Sequence, residues 1–266
     1  MIYRLKNTIC SLSAVLALTV PNSAFSMDNY GQARQLLPVI FNMLDKPATI
    51  YCGCPLTFPK PTAYSFDAKE CGYVPKAQNS RSYRVESEHI MPAYDFGRQL
   101  RCWQKGGRRR CQKDSSDFNI MEGDMHNLWP VIGEINGARS NYRFSDWNGT
   151  GTDFGKCHIL IDSRHSQVQP PESARGIIAR AYLYMSSRYK VRLTKRDLKM
   201  YEVWDKTYAP SFNECKKNLL TEILQGSKNK YVSQACELHK INVSVSEKEK
   251  SKLKRMHDWL NRSSSK

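Results

Sequence analysis

The chain has 266 residues, with 41 Lys and Arg against 25 Asp and Glu, a net charge of +16. That length makes one large domain or two small ones, ample for a core, and no apolar run of 18 residues follows the N-terminal region, which excludes a chain built from membrane-spanning helices. The charge says nothing about fold but favours polyanionic partners: nucleic acid, an anionic membrane surface or acidic glycans.

Residues 1–26 open with Arg4 and Lys6, continue through an apolar run from Leu12 to Val20 that is too short to span a bilayer, and close on the small residues Ala24 and Ser26. This is the pattern of an export signal. The mature protein is therefore expected in the periplasm or outside the cell, free of the membrane. From Gln32 to Leu44, the residues Leu36, Leu37, Ile40, Phe41 and Leu44 recur at helical spacing, with a break or kink expected at Pro38. Residues 47–80 are rich in Pro, Gly and Cys and read as loops with short strands. Tyr83 to Met91 reads as a strand ending at Pro92, residues 101–114 as a polar glycine-containing loop, and Asp117 to Leu128 as a helix. Pro130 suits the first turn of a further helix, because its missing N–H is unsatisfied there anyway. That helix runs to about Arg139 and carries Gly133 and Gly137 on one face. Each glycine costs about 1 kcal/mol in a helix, so a second backbone is expected to pack closely against that face.

Beyond it, short strands are expected at 142–147 and 157–162, and helices at 173–189, 194–206 and 211–225. Residues 241–266, dominated by Lys, Glu and Ser, read as a loosely attached basic tail with at most a short helix around Leu253, Met256, Trp259 and Leu260. The domain organisation expected is a signal at 1–26, one domain at 27–240 and the tail at 241–266.

Of nine cysteines, Cys10 lies in the signal. Cys52, Cys54, Cys71, Cys102, Cys111, Cys157, Cys215 and Cys236 remain. An even count in an exported chain argues for up to four disulfides. Proximity alone suggests Cys102–Cys111 and Cys215–Cys236. Zinc is the competing use, although Cys52-Gly53-Cys54 is tight for the usual ligand spacing of two to four residues.

The residues that carry chemistry lie close together in the sequence. His89 is a base able to take a proton from water. Glu88 beside it offers a hard oxygen to Mg²⁺ or Ca²⁺. In a regular strand the two neighbours point to opposite faces, so either the backbone bends there or metal and water lie on different sides. Arg108, Arg109 and Arg110 follow Gly106-Gly107, and arginine binds phosphate oxygens bidentately. Lys105 adds a cation to that nucleic-acid-binding set. Asn136 offers an amide oxygen as a further metal ligand. His126-Asn127 reads as structural hydrogen bonding, and His158 and His165 have no evident partner. Trp103, Trp129 and Trp147 could stack on bases, but core packing is the better reading for at least two of them.

These residues resemble the endonuclease I family of periplasmic and secreted nonspecific nucleases. The matching stretches are YCGCP (51–55), EHIMPAYDFG (88–97), RCWQKGGRRRC (101–111), MEGDMHNLWPVIGEINGARSN (121–141), SDWNG (145–149), ARGIIARAYLYMS (174–186) and the segment from Gln225-Gly226 to Gln234-Ala235-Cys236. The resemblance implies an α+β fold, helices and short strands around a ββα-metal (His-Me finger) motif, stabilised by disulfides. It implies cleavage of DNA and RNA to 5′-phosphate products by a monomer with Mg²⁺, or alternatively Ca²⁺ or Mn²⁺. His89 is then the general base, Glu88 and Asn136 the metal ligands, and Arg108 the residue on the scissile phosphate. The Ser227–Tyr231 turn departs from the family pattern, and residues beyond about 240 have no counterpart in it. A secreted nucleic-acid-binding protein without activity fits the charge, aromatics and cysteines equally, but has no need of Glu88, His89 and Asn136 together.

Overall fold

A computed structural model describes residues 29–147 and 150–264; the expected signal segment lies outside them. Helix α1 (Tyr30–Phe41) starts on Asn29, whose side chain accepts the Gln32 N–H, and continues through Pro38. The break expected at Pro38 does not occur, because Leu36, Leu37, Val39, Ile40 and Phe41 are all buried. Each such side chain contributes about 1.5–3 kcal/mol, and together they outweigh one interior proline. Strands β1 (Thr57–Lys60) and β2 (Ala63–Ser65) form a small antiparallel hairpin.

Strand β3 (Val85–His89) pairs antiparallel with β4 (Leu128–Ile132). The chain between them forms α2 (Ala93–Gly97), α3 (Arg101–Gln104), α4 (Gly107–Asp114), α5 (Ser116–Gly123) and a 3-10 turn at Met125–Asn127. The segment 101–114 is thus not a loop but two short helices. Cys102–Cys111 joins them, Cys111 is fully buried, and Gly107 (φ 64°) makes the turn between them. The helix expected to reach Leu128 stops at Gly123. A Cβ there would come within 2.9 Å of the Asn29 carbonyl carbon, so this glycine lets the start of α1 dock directly on the end of α5.

Pro130 also departs from expectation: it sits inside β4, opposite Ser87, and starts no helix. Bonds from the Gly133 N–H to the Arg84 carbonyl and from the Ile90 N–H to the Asn127 carbonyl bracket the ladder. Bonded pairs alternate in an antiparallel ladder, so Ser87 and Pro130 form a non-hydrogen-bonded pair and the missing N–H costs nothing. The Pro130 carbonyl on the outer edge accepts the Ile50 N–H at 2.9 Å. Helix α6 (Gly133–Arg139) follows β4 directly and packs on both strands, completing a ββα unit. Its glycine face meets the Glu86 carboxylate and the Arg81 carbonyl at Gly133 and the Arg81 guanidinium at Gly137, so a second backbone approaches only at Gly133.

A second sheet has the order β5-β8-β7-β6, built from β5 (Arg143–Phe144), β6 (Thr152–Phe154), β7 (Cys157–Asp162) and β8 (Gln167–Gln169), with only the β5–β8 pair parallel. Cys52–Cys157 ties the loop before β1 to β7, and Cys54–Cys71 closes the segment around the hairpin. Helices α7 (Glu172–Tyr189), α8 (Lys195–Thr207) and α9 (Phe212–Gln225) cover the core, with Thr194 and Ser211 capping the last two. Helix α10 (Lys230–Leu238) is held to α9 by Cys215–Cys236. All eight cysteines among the described residues are spent on disulfides, which leaves no thiolate there for zinc. The class is α+β, helices and short strands held by disulfides.

The C-terminal segment is not loose. Helix α11 (Glu247–Ser264) packs against α1 and α9, with Leu253 and Leu260 buried in the main core. Leu253, Met256 and Leu260 form a stripe at helical spacing, and Lys216 on α9 pairs with Glu249 at 2.8 Å. His126 and Asn127 serve the fold: His126 Nε2 bonds the Ser227 carbonyl at 2.7 Å, and the Asn127 amide bonds both the N–H and the carbonyl of Met91. No helix among the described residues is long and apolar enough to cross a membrane.

Candidate active site

The ladder stays regular to the end of β3, so Glu88 and His89 point to opposite faces. Both still line one cavity of about 460 Å³, which wraps the strand end. The backbone does not bend to join them; the cavity has two sides. His89 Nε2 lies 2.8 Å from the Glu122 carbonyl oxygen. A carbonyl only accepts, so Nε2 carries the proton and Nδ1 presents its lone pair. Burial pushes the His89 pKa down to about 4, and Arg108 and Arg139 push the same way. The imidazole is therefore neutral at physiological pH, with the Nδ1 lone pair available to take a proton.

Burial also takes His126 down to about 4. The unfolded chain binds these two protons below about pH 6.5, whereas the folded chain binds them only near 4. Stability is therefore full above pH 6.5 and falls as pH drops toward 4, by about 1.4 kcal/mol per pH unit for each histidine. Urea midpoints measured in EDTA at pH 7 and pH 5 check this: the midpoint is expected to be clearly lower at pH 5. An unchanged midpoint would contradict the burial argument.

Glu88 is 1% exposed, and its Oε1 accepts the Tyr51 hydroxyl at 2.9 Å and faces Arg139 Nη1 at 3.3 Å. Burial pushes its carboxyl pKa up, and Arg139 and Tyr51 pull it back. Arg139, itself fully buried, donates to the His89 and Ile90 carbonyls at 3.1 and 2.7 Å and lies over the Phe144 ring. This guanidinium splints the end of β3 and counters the buried Glu88 charge. Neither bond falls on Glu88 Oε2. On α6, Asn136 donates its Nδ2 to Glu86 Oε2 at 2.8 Å, which turns the amide so that Oδ1 is left for another partner. Glu86 is itself fixed by Arg81 and Arg84.

Among the described residues, no group of three or more His, Cys, Asp and Glu converges as a metal cage. Oxygen-bearing side chains lining the cavity include Glu86, Glu88, Asn136 and Asn141; Glu86 is held by Arg81, Arg84 and the Asn136 amide, whereas Glu88 Oε2 and Asn136 Oδ1 carry none of the bonds described above. Two hard oxygens suit a cation that keeps most of its water, as Mg²⁺ does.

Arg108, on α4, closes the cavity from the other side. Its Nε donates to Glu122 Oε1 at 2.5 Å, and Gln112 Nε2 holds the same carboxylate at 3.0 and 3.1 Å. Glu122 thus fixes both groups, His89 through its carbonyl and Arg108 through its carboxylate, and the terminal guanidinium nitrogens of Arg108 are left for a ligand. Tyr30 stands between the pair. Its ring lies 4.7 Å from the His89 ring, Arg108 sits over it at 5.5 Å, and its hydroxyl donates to the Ser87 carbonyl at 3.1 Å. His89, Glu88, Asn136 and Arg108 therefore meet at one cavity. Lys105, Arg109 and Arg110 lie outside it, with Arg110 ion-paired to Asp114. Trp129 is core, whereas Trp103 lines the cavity.

Glu122, Arg139, Tyr30 and Tyr51 went unnoticed in the sequence. Arg139 alone left a readable signal, three residues after Asn136 on a short helix.

The profile of the Endonuclease I family matches residues 47–236. An extracellular deoxyribonuclease of Aeromonas hydrophila is 45% identical over 230 residues, covering 86% of this chain and 98% of that protein. A periplasmic deoxyribonuclease of the same organism is 44% identical, covering 86% and 95%. Endonuclease-1 of Buchnera aphidicola subsp. Acyrthosiphon pisum (strain APS) is 38% identical over 215 residues, covering 79% and 83%. With this coverage, the chain belongs to the endonuclease I family.

Proposed function

We propose that the chain is an exported, divalent-metal-dependent endonuclease that hydrolyses phosphodiester bonds in DNA, and in RNA, with little sequence preference. The observation that carries this is His89 with its Nε2 proton committed to the Glu122 carbonyl and its Nδ1 free, in one cavity with Glu88, Asn136 and Arg108. His89 Nδ1 takes a proton from water, whose oxygen attacks phosphorus in line with the leaving 3′-oxygen. The P–O3′ bond breaks, the 3′-oxygen takes a proton from solvent, and the phosphate stays on the 5′ side. Arg108, pre-positioned by Glu122, meets the charge that grows on the phosphoryl oxygens. Mg²⁺, with Mn²⁺ or Ca²⁺ as alternatives, supplies positive charge beside that phosphate when held by Glu88 and Asn136. Lys105, Arg109 and Arg110 add general attraction for the backbone.

The cavity is complete within one chain, which supports action as a monomer. The N-terminal segment and the locations in the relatives' names, extracellular and periplasmic, support export.

Supercoiled plasmid, single-stranded DNA and RNA, each incubated with the protein and Mg²⁺, test the reading. All three are expected to be cut, leaving 5′-phosphate ends. Products with 5′-hydroxyl ends would overturn the chemistry. Intact RNA beside cut DNA would overturn the RNA half.

Tyr30 is a positioning residue in this scheme. Tyr30→Phe keeps the ring and is expected to stay within about threefold of wild-type kcat. Tyr30→Ala frees both His89 and Arg108, and is expected to lower kcat by about ten- to a hundredfold with KM little changed. A rise in KM with kcat unchanged would instead make Tyr30 a substrate contact.

A further inference from the structure

A second groove, of about 600 Å³, opens beside the catalytic cavity and shares Tyr30, Glu86, Ser87 and Asn136 with it. Its volume lies within the range of built ligand sites, roughly 300–1,000 Å³. Helix α1 forms one wall and carries Arg34 one turn after Tyr30, on the same face. Tyr64 and Arg84 form the opposite side. The Glu86 carboxylate in its floor is spent on Arg81, Arg84 and the Asn136 amide. Arg34 is exposed and, among the described residues, has no ion-pair partner. Half of the Arg84 side chain remains in solvent. The groove is thus continuous with the catalytic cavity, wide enough for a nucleotide, walled by two tyrosines and net positive. Arg109 and Arg110, by contrast, do not line either cavity.

We propose that this groove is a subsite for the nucleotides flanking the scissile bond, with Arg34 and Arg84 holding backbone phosphates while Tyr64 flanks sugar or base. It rests on the nuclease reading above. The strand then leaves the catalytic cavity past Tyr30 along α1, on the side away from the arginine-rich helix. Arg34 lies outside the matched family segment of residues 47–236, so this subsite draws on a part of the chain that the family profile does not cover.

The test compares kcat/KM for a single-stranded dodecamer with that for a dinucleotide, in wild type, Arg34→Ala and Arg34→Glu. Arg34 is exposed, so both variants are expected to keep the wild-type melting temperature. Arg34→Ala is expected to lower the dodecamer-to-dinucleotide ratio by about threefold and to flatten the salt dependence of log KM by about 0.7, the contribution of one phosphate contact on a single strand. Arg34→Glu is expected to lower the ratio by about tenfold, through KM. A ratio within twofold of wild type in Arg34→Glu, or equal losses on both substrates, would overturn the subsite while leaving the nuclease reading intact. Wild-type protein that cleaves neither oligonucleotide would overturn both.

Discussion

Replacing His89 by alanine is expected to lower the single-turnover rate of DNA cleavage by about two to four orders of magnitude, the usual worth of a positioned general base. Affinity for DNA measured in EDTA is expected to stay within about twofold of wild type. The reason lies in the division of labour at the site. His89 is buried at the end of β3 with one nitrogen spent on the Glu122 carbonyl, so it contributes a lone pair and little positive charge. In the proposed mechanism the phosphate-binding charge comes from arginines on other elements. A gel-shift titration beside quenched-flow cleavage separates the two effects. A rate loss below about tenfold would place the base elsewhere. An affinity loss as large as the rate loss would make His89 a binding residue.

Reduction of the disulfides is expected to abolish activity and most of the stability. Cys52–Cys157 spans 105 residues and closes the longest loop. In the chain-entropy account such a crosslink contributes about 4.7 kcal/mol, against roughly 2.6 for the nine-residue separation of Cys102–Cys111. Removing the first pair by double alanine substitution should therefore move the urea midpoint most. Removing the second should move it less, yet reduce activity more per unit of stability lost. That bridge joins α3 to α4, which carries Arg108. A fully reduced preparation, with eight free thiols by titration, that still cuts plasmid at the oxidised rate would contradict both statements. A chain active only when oxidised is inactive in a reducing cytoplasm.

The helices α7, α8 and α9 and strand β7 were legible because their apolar residues keep a regular period, and because the caps of α8 and α9, Thr194 and Ser211, are local. Pro130 misled because its cost depends on the ladder register, which is fixed by a partner strand far away in sequence. Residues 101–114 read as a loop because glycine and charge dominate locally, whereas two short helices persist there through a crosslink and the buried Cys111. The stripe at Leu253, Met256 and Leu260 was visible in α11, but its partners, α1 and α9, were not.

At the site, four candidate residues were readable from residue type and family resemblance. Their orientation was not. It depends on Glu122, Arg139, Tyr30 and Glu86, which reach the site from α5, α6, α1 and the other end of β3. The Glu122 carbonyl that fixes the His89 tautomer is a backbone atom, and no side-chain pattern reveals it.

In the proposed mechanism one cavity combines a neutral His89 base with a cation held by Glu88 and Asn136. The most direct measurement is conversion of supercoiled plasmid by the oxidised protein with Mg²⁺ and again after EDTA, with gel retardation scored in the same samples. Nicked and linear products are expected with Mg²⁺ and none after EDTA, with plasmid still retarded. Plasmid that stays supercoiled and retarded with Mg²⁺ present would contradict that mechanism and leave a protein that binds nucleic acid without cutting it.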